Sequence, residues 1–229
     1  MLYFYDFLAL FFPRICCSCK NTLLKHEDIL CTFCLHKLPK TNFHQDKDNP
    51  VSKIFWGRIH LESASSMYFF TKGGKVQHLL HQLKYKGKKE IGVYLGNLYG
   101  KELKTSDLYK DVDVIIPVPL HPRKNHKRGY NQSEMFARGL SESFSKPVDI
   151  KALIRTHASE TQTKKSRFRR WENVEEIFAL KNHQHLYNKH ILLVDDVITT
   201  GATIEACGKI LLNIQGVKLS VASIACALH

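Results

Sequence analysis

The sequence predicts an α/β protein. A parallel, doubly wound sheet is expected over residues 61–229, preceded over residues 1–60 by an N-terminal helix, a four-cysteine zinc module and a linker. Three observations carry the prediction. From Ser65 onward, short apolar runs that read as strands alternate with segments of helical period, the pattern of strands joined by crossover helices. Residues 191–214 give strand, paired acids, Thr/Gly turn and helix in unbroken order. Five of the seven cysteines lie between Cys16 and Cys34, and four of them form two C-x-x-C pairs.

Composition sets the frame. The 229 residues suffice for one large domain or a medium domain with a small module, and 44% hydrophobic content suits a proper core. Lys and Arg outnumber Asp and Glu by 34 to 21, a formal charge of +13. Such a field favours anionic partners, whether polyphosphates, nucleic acid or an acidic protein, and does not choose among them. An odd number of clustered cysteines points to metal ligation in a reducing compartment rather than to a disulfide framework.

Residues 1–12 are apolar and aromatic but carry Asp6 and no basic start. They are too short to span a bilayer and read as a short helix packed on the rest; cytoplasmic location is the expectation. Cys16, Cys19, Cys31 and Cys34 then give C-x2-C-x11-C-x2-C. Each pair forms a knuckle that aims two thiolates at one point, and two knuckles complete a tetrahedral S4 site that suits a structural zinc. Lys20, Lys25 and Lys37 would favour the thiolates. Cys17 is left over, while Cys207 and Cys226 sit in apolar segments as small core residues. Residues 35–59 are polar and broken by Pro39 and Pro50, which fits a linker, with His36, His44 and His60 solvated.

A strand is expected over residues 65–70, then helices over 76–84 and 91–103. The basic turn between them offers Lys84 and Lys88 as anion contacts. Residues 113–119 form a short strand ending in prolines. A dense basic loop follows with His121, Arg123, Lys124, His126, Lys127 and Arg128, and a helix over 133–144. Several Arg and Lys in one loop at a strand's end suit a diphosphate. Further strands are expected over 148–154, 178–180 and 217–225. The polar stretch 161–173 reads as a flap or an exposed helix.

The unit 191–214 carries the most specific chemistry. Helix N-terminal amides are unpaired and partly positive, so the turn of Thr199, Thr200, Gly201, Ala202 and Thr203 can wrap a phosphate. Gly201 lets backbone approach a ligand, and the threonines add hydroxyl donors. Asp195 and Asp196 suit vicinal sugar hydroxyls and, less directly, a hydrated metal ion. A phosphate beside a diol describes a ribose 5-phosphate.

The segment from Val194 to Thr203 resembles the 5-phosphoribosyl diphosphate (PRPP) signature of type I phosphoribosyltransferases. The cysteine pairs, Leu83-Lys84-Tyr85-Lys86-Gly87, Pro117-Val-Pro-Leu-His121-x-Arg123, Arg128-Gly-Tyr-Asn-Gln132, Arg155 with Gln162, and Arg169 with Asn173 and Phe178 extend the likeness over nearly the whole chain, which resembles the ComF family of ComFC and GntX-type proteins. The resemblance implies a zinc module on a phosphoribosyltransferase-like domain that binds PRPP with Mg²⁺, and a role in DNA uptake during natural transformation. Lys84, His121, Asp195, Asp196, Thr199, Thr200, Gly201, Ala202 and Thr203 would bind PRPP, with Asp195, Asp196, Arg123 and Arg128 as the catalytic set; the acceptor is unspecified. Two other readings stand beside it. One is single-stranded DNA binding on a silent enzyme scaffold, with Tyr85, Tyr130, Phe168 and Trp171 stacking bases. The other is an adaptor for competence proteins such as an uptake helicase.

Overall fold

Four parallel strands hold the site, and their order in space is β1-β6-β5-β2. The structure, a computed structural model, describes residues 13–121, 126, 128–156 and 178–228. The strands are β1 (Ser63–Phe69), β2 (Val114–Pro117), β5 (His190–Ile198) and β6 (Lys218–Cys226). β5 is central, pairing with β2 on one side and β6 on the other. Its residues alternate between two cores: Leu192 and Val194 face one, Ile191 and Leu193 the other. A strand buried on both faces must be continuously apolar, which is why this run is so legible.

Helices cover both faces, as expected of a doubly wound sheet. One face receives α3 (Lys75–Tyr85), α4 (Glu90–Lys104) and α5 (Gln132–Phe144), together with the cysteine module and its short helix α1 (Thr32–Lys37). The other receives α6 (Ala202–Leu212) and the residues around the single turn α2 (Pro50–Lys53). α4 and α5 cross closely: a Cβ on Gly96 would lie 2.2 Å from the Phe136 carbonyl, and one on Gly139 2.0 Å from that of Val93. This crossing fixes α5, whose first turn faces the end of β5.

β1 buries three serines, which explains its weak apolar pattern. Their hydroxyls are paired: Ser63 with Ser220, Ser66 with Ser223, and Ser65 with the hydroxyls of Tyr99 and Tyr109. Paired in this way, buried hydroxyls avoid the cost of lost water.

Four expectations need correction. β5 does not end at its acids but runs through Asp195 and Asp196 to Ile198, because Val197 and Ile198 still pair with Ala225 and Cys226. The stretch 148–154 is not one strand. Val148 makes an isolated bridge to Ile115, and β3 (Leu153–Arg155) pairs antiparallel with β4 (Phe178–Leu180) as a separate ribbon. Residues 39–59 are no loose linker. Val51 and Phe55 are buried in the α6-side core, and Asn49 organises the turn, its amide donating to the Phe43, Asp46 and Ala64 carbonyls while its oxygen caps α2. His44 is buried against the Tyr99 ring, and burial holds its pKa below the ordinary value; His36 and His60 are exposed as expected.

Outside the described residues lie the expected N-terminal helix, the flap at 161–173 and Arg123. No described helix is long and apolar enough to cross a membrane.

Candidate functional site

The cysteine module forms a compact sulfur cage. Residues on either side of the first knuckle pair as an antiparallel bridge, Ile15 with Thr22, and Lys20 turns the knuckle at φ +68°. The second knuckle opens α1, where Cys31 caps the helix by accepting from the Cys34 N–H. Sγ atoms of Cys16, Cys19, Cys31 and Cys34 all lie within 4.8 Å of one another, and those of Cys19 and Cys31 are 3.7 Å apart. A tetrahedron with bonds of about 2.3 Å has edges of about 3.8 Å, so the four sulfurs fit one zinc-sized ion. Cys17 stays out of the set.

The ionisation of the cage has a source that the lysines did not suggest. Burial opposes the Cys16 thiolate, but N–H groups of Cys19, Cys31 and Ser18 outweigh it and bring the thiol down to about 7. Burial pushes Cys34 up to about 12. Glu27 braces the cage, accepting from Leu24 N–H, Thr32 N–H and the Thr32 hydroxyl, which holds its carboxyl at about 2.

At the far end of β5 the acids meet α3 and α5. Asp195 Oδ1 accepts from the Ser133 hydroxyl at 2.8 Å and from the Asp196 N–H at 2.8 Å. Ser133 is placed by the cap of α5: Asn131 accepts from the Ser133 N–H and donates to the Val118 carbonyl at the end of β2. Lys84, in the last turn of α3, reaches across to Asp196 at 3.0 Å. Burial, and then the neighbouring Asp196 charge, raise the Asp195 carboxyl to about 7.

Past the acids, Thr199 and Thr200 are exposed and Gly201 is the left-handed N-cap of α6, at φ +77°. Gly201 has no side chain to cap the helix, so the first turn presents backbone N–H groups beside the exposed Ala202 and Thr203. A loop with exposed hydroxyls and helix amides, next to two carboxylates and an ammonium, can take a phosphate on one side and a diol on the other.

Only His121, His126 and Arg128 of the basic loop after β2 are among the described residues. His121 is half-buried just beyond the strand. Arg128 lies over the Tyr85 ring at 5.1 Å and donates to Gln132 at 2.7 Å, which sets its guanidinium beside the residue following Lys84. Lys88 points elsewhere than an open anion site: its ammonium is 3.4 Å from Cys17 Sγ. The groove of about 920 Å³ between α4 and α5, whose lining includes Tyr94, Leu98, Met135 and Arg138, contains neither the acids nor the loop 199–203.

The phosphoribosyl transferase domain family matches residues 131–229, the region that holds α5, β5, the loop and α6. The DNA utilization protein YhgH of Escherichia coli O157:H7 is 36% identical over 139 residues, covering 59% of this chain and 60% of that protein. Competence protein F of Haemophilus influenzae is 30% identical over 126 residues, 55% of each chain. The competence protein ComFC of Bacillus subtilis is 28% identical over 213 residues, covering 92% of this chain and 82% of its own. This chain carries a phosphoribosyl transferase domain and is similar to these competence and DNA utilization proteins, spanning about 60% of the length of YhgH. Among solved structures, the glutamine PRPP amidotransferase of B. subtilis complexed with ADP and GMP is 22% identical with a TM-score of 0.39, over 57% of this chain and 26% of that one.

The chain thus combines a type I phosphoribosyltransferase fold with a cysteine cluster able to hold a metal. Of the residues expected at its site, Lys84, Asp195 and Asp196 come together, Arg128 lies over the neighbouring Tyr85, and 199–203 follow the end of β5 two residues past the acids. Sequence reasoning missed Ser133, whose role shows only in the packing of α5 on β5. It also missed Arg58, which donates to the Thr200 carbonyl at 2.8 Å and to Glu205. Tyr130 is corrected as a base-stacking candidate, because it is partly buried with its hydroxyl on the Leu83 carbonyl. Phe168 and Trp171 lie outside the described residues.

Proposed function

We propose that the chain binds PRPP with Mg²⁺ and transfers its phosphoribosyl group, or holds it as a ligand, in the service of DNA uptake during natural transformation. One observation carries the reading: β5 carries Asp195 and Asp196 near its end and passes within three residues into a loop that opens α6 at Gly201, while Lys84 bridges to the second acid. A ribose 5-phosphate offers a diol and a phosphate to such a pair of neighbouring subsites. Similarity to the competence proteins ComFC and F and to the DNA utilization protein YhgH supports the link to DNA uptake.

In this reading Asp195 and Asp196 accept from the ribose 2- and 3-hydroxyls. Thr199, Thr200 and Thr203, with the amides of Gly201 and Ala202, take the 5-phosphate. His121, Arg123 and Arg128 take the diphosphate, and guanidinium donors aimed at it gain strength as the C1–O bond breaks and charge builds on the leaving oxygen. The two carboxylates are hard oxygen donors suited to Mg²⁺, which when bound would neutralise diphosphate charge. Zinc in the sulfur cage serves as a structural ion, since all four ligand positions come from cysteine. Residues 1–60 carry the metal module and residues 61–229 the ligand site, which the end of the first unit reaches through Arg58.

Calorimetric titration of PRPP and Mg²⁺ into the wild type and into an Asp195→Ala, Asp196→Ala double variant tests the proposal. Micromolar binding is expected in the first and none in the second; equal affinity in the two would refute it. Diphosphate release with a panel of acceptors then separates an enzyme from a ligand-holding protein.

One observation favours a second reading, single-stranded DNA binding at the same mouth. Tyr85 is 61% exposed, flanked by Arg128 and His81, and carried on the basic turn 84–89. DNA affinity that falls steeply with salt and is competed by PRPP would support it, and salt-insensitive binding would count against it.

A further inference from the structure

The segment expected as a linker reaches the phosphate loop. Arg58 follows α2, and its fork holds three groups at once. Nη1 donates to the Ile54 carbonyl at 3.1 Å and to the Thr200 carbonyl at 2.8 Å, while Nε donates to Glu205 Oε2 at 2.8 Å. Glu205, in the first turn of α6, is held a second time by Lys209 at 3.1 Å. Below this clamp, Ile54 and Phe55 press on Gly201 so closely that a Cβ there would come within 2.8 Å of each.

We infer that Arg58 is a positioning residue of the donor site: by fixing the Thr200–Gly201 peptide it presets the loop that receives the 5-phosphate. The inference rests on the PRPP reading above. A peptide is planar, so its carbonyl and N–H point in opposite directions. With the Thr200 carbonyl drawn to Arg58, the Gly201 N–H points away from Arg58. Without the clamp this peptide is the one most easily turned over, because glycine accepts dihedrals of either sign. Turned over, it would offer a carbonyl oxygen to an anion where an N–H is wanted. Only a guanidinium can reach two carbonyls and a carboxylate in fixed geometry, so lysine is no substitute. The charge of Arg58 is balanced by Glu205, so the guanidinium acts by holding the loop in shape rather than by attracting the phosphate.

The experiment separates the two halves of the ligand. Ribose 5-phosphate and Mg²⁺-diphosphate are titrated separately into wild type, Arg58→Ala, Arg58→Lys and Glu205→Gln, with thermal midpoints recorded for each. Expected is a ribose 5-phosphate affinity lowered about ten- to a hundredfold in Arg58→Ala, not rescued in Arg58→Lys, with diphosphate affinity unchanged. Glu205→Gln, which keeps Arg58 but loosens its hold, should lose affinity for ribose 5-phosphate in the same direction and to a smaller extent; it decides the matter if the Arg58 variants fail to fold. Unchanged ribose 5-phosphate binding, or an equal loss of both ligands, overturns the role of Arg58 and leaves the PRPP reading standing. A wild type that binds no ribose 5-phosphate overturns both.

Discussion

Replacing Asp195 by Asn should make the protein more stable at pH 8 and little different at pH 4.5. The substitution keeps the shape of the side chain and the Oδ1 acceptor that takes both the Ser133 hydroxyl and the Asp196 N–H. What it removes is a charge that burial and Asp196 resist. The folded carboxyl titrates at about 7 against an ordinary 3.8. Between about pH 4 and 7 the native state therefore holds a proton that the unfolded chain has released, and stability falls as pH rises through that window, levelling off above 7. At about 1.4 kcal/mol for each tenfold change in proton affinity, the ceiling is about 4 kcal/mol. Relaxation around two coupled acids lowers this, so about 1–4 kcal/mol in favour of the variant is expected above pH 7. Urea unfolding of both proteins in magnesium-free buffer at pH 4.5 and pH 8 measures it, since titrating groups not coupled to Asp195 cancel in the difference. A variant destabilised equally at both pH values would refute the reasoning. The same variant should lose PRPP binding, so the acid would be kept for its ligand at the expense of stability.

Three further outcomes are expected. Gly201→Ala forces a non-glycine residue to φ +77° and drives a methyl to within 2.8 Å of Ile54 and Phe55; a loss of about 2–4 kcal/mol in chemical unfolding and of PRPP binding in calorimetry should follow. Lys84→Ala removes the ammonium 3.0 Å from Asp196, a charge that also favours the Asp195 anion. The midpoint of the Asp195 carboxyl in a carbon-detected NMR titration should therefore move up, and PRPP affinity should fall. Cys34→Ser breaks the cage, so bound zinc measured by elemental analysis should fall well below one per chain. Because Cys16, Cys34, Leu30 and Leu38 share a core with α3 and α4, the thermal midpoint of the whole protein should fall with it.

What could be read in advance was whatever is written locally. The run 191–194, the acids and the Thr/Gly turn lie within thirteen residues, and a strand buried on both faces leaves an unmistakable apolar signature. C-x-x-C pairs likewise declare a knuckle by spacing alone. The segment around α2 escaped because its organiser is a polar side chain. Asn49 satisfies three carbonyls and two N–H groups from one buried amide, and nothing in hydropathy distinguishes it from an asparagine in a loop. Arg58 and Thr200 are 142 positions apart, and Ser133 and Asp195 62, so neither contact leaves a sequence period. β5 outran its apolar stretch for a related reason: pairing with β6 carries a strand across acids that composition alone would place at its end.

The stretch just after the cysteine module has one more consequence. β1 is the outermost strand of its sheet, and such strands offer unpaired amides to any passing chain. Here Phe69 N–H bonds the Pro39 carbonyl, Thr41 N–H bonds the Met67 carbonyl, and Lys40 bridges Tyr68. On the opposite margin, Pro147 and Asp149 bracket Ile115 of β2 in the same way. Both rims of the sheet are thus closed by short pieces of the protein's own backbone. A fragment trimmed to residues 61–229 would keep every strand of the sheet and still leave one rim open, ready to recruit a second molecule edge to edge.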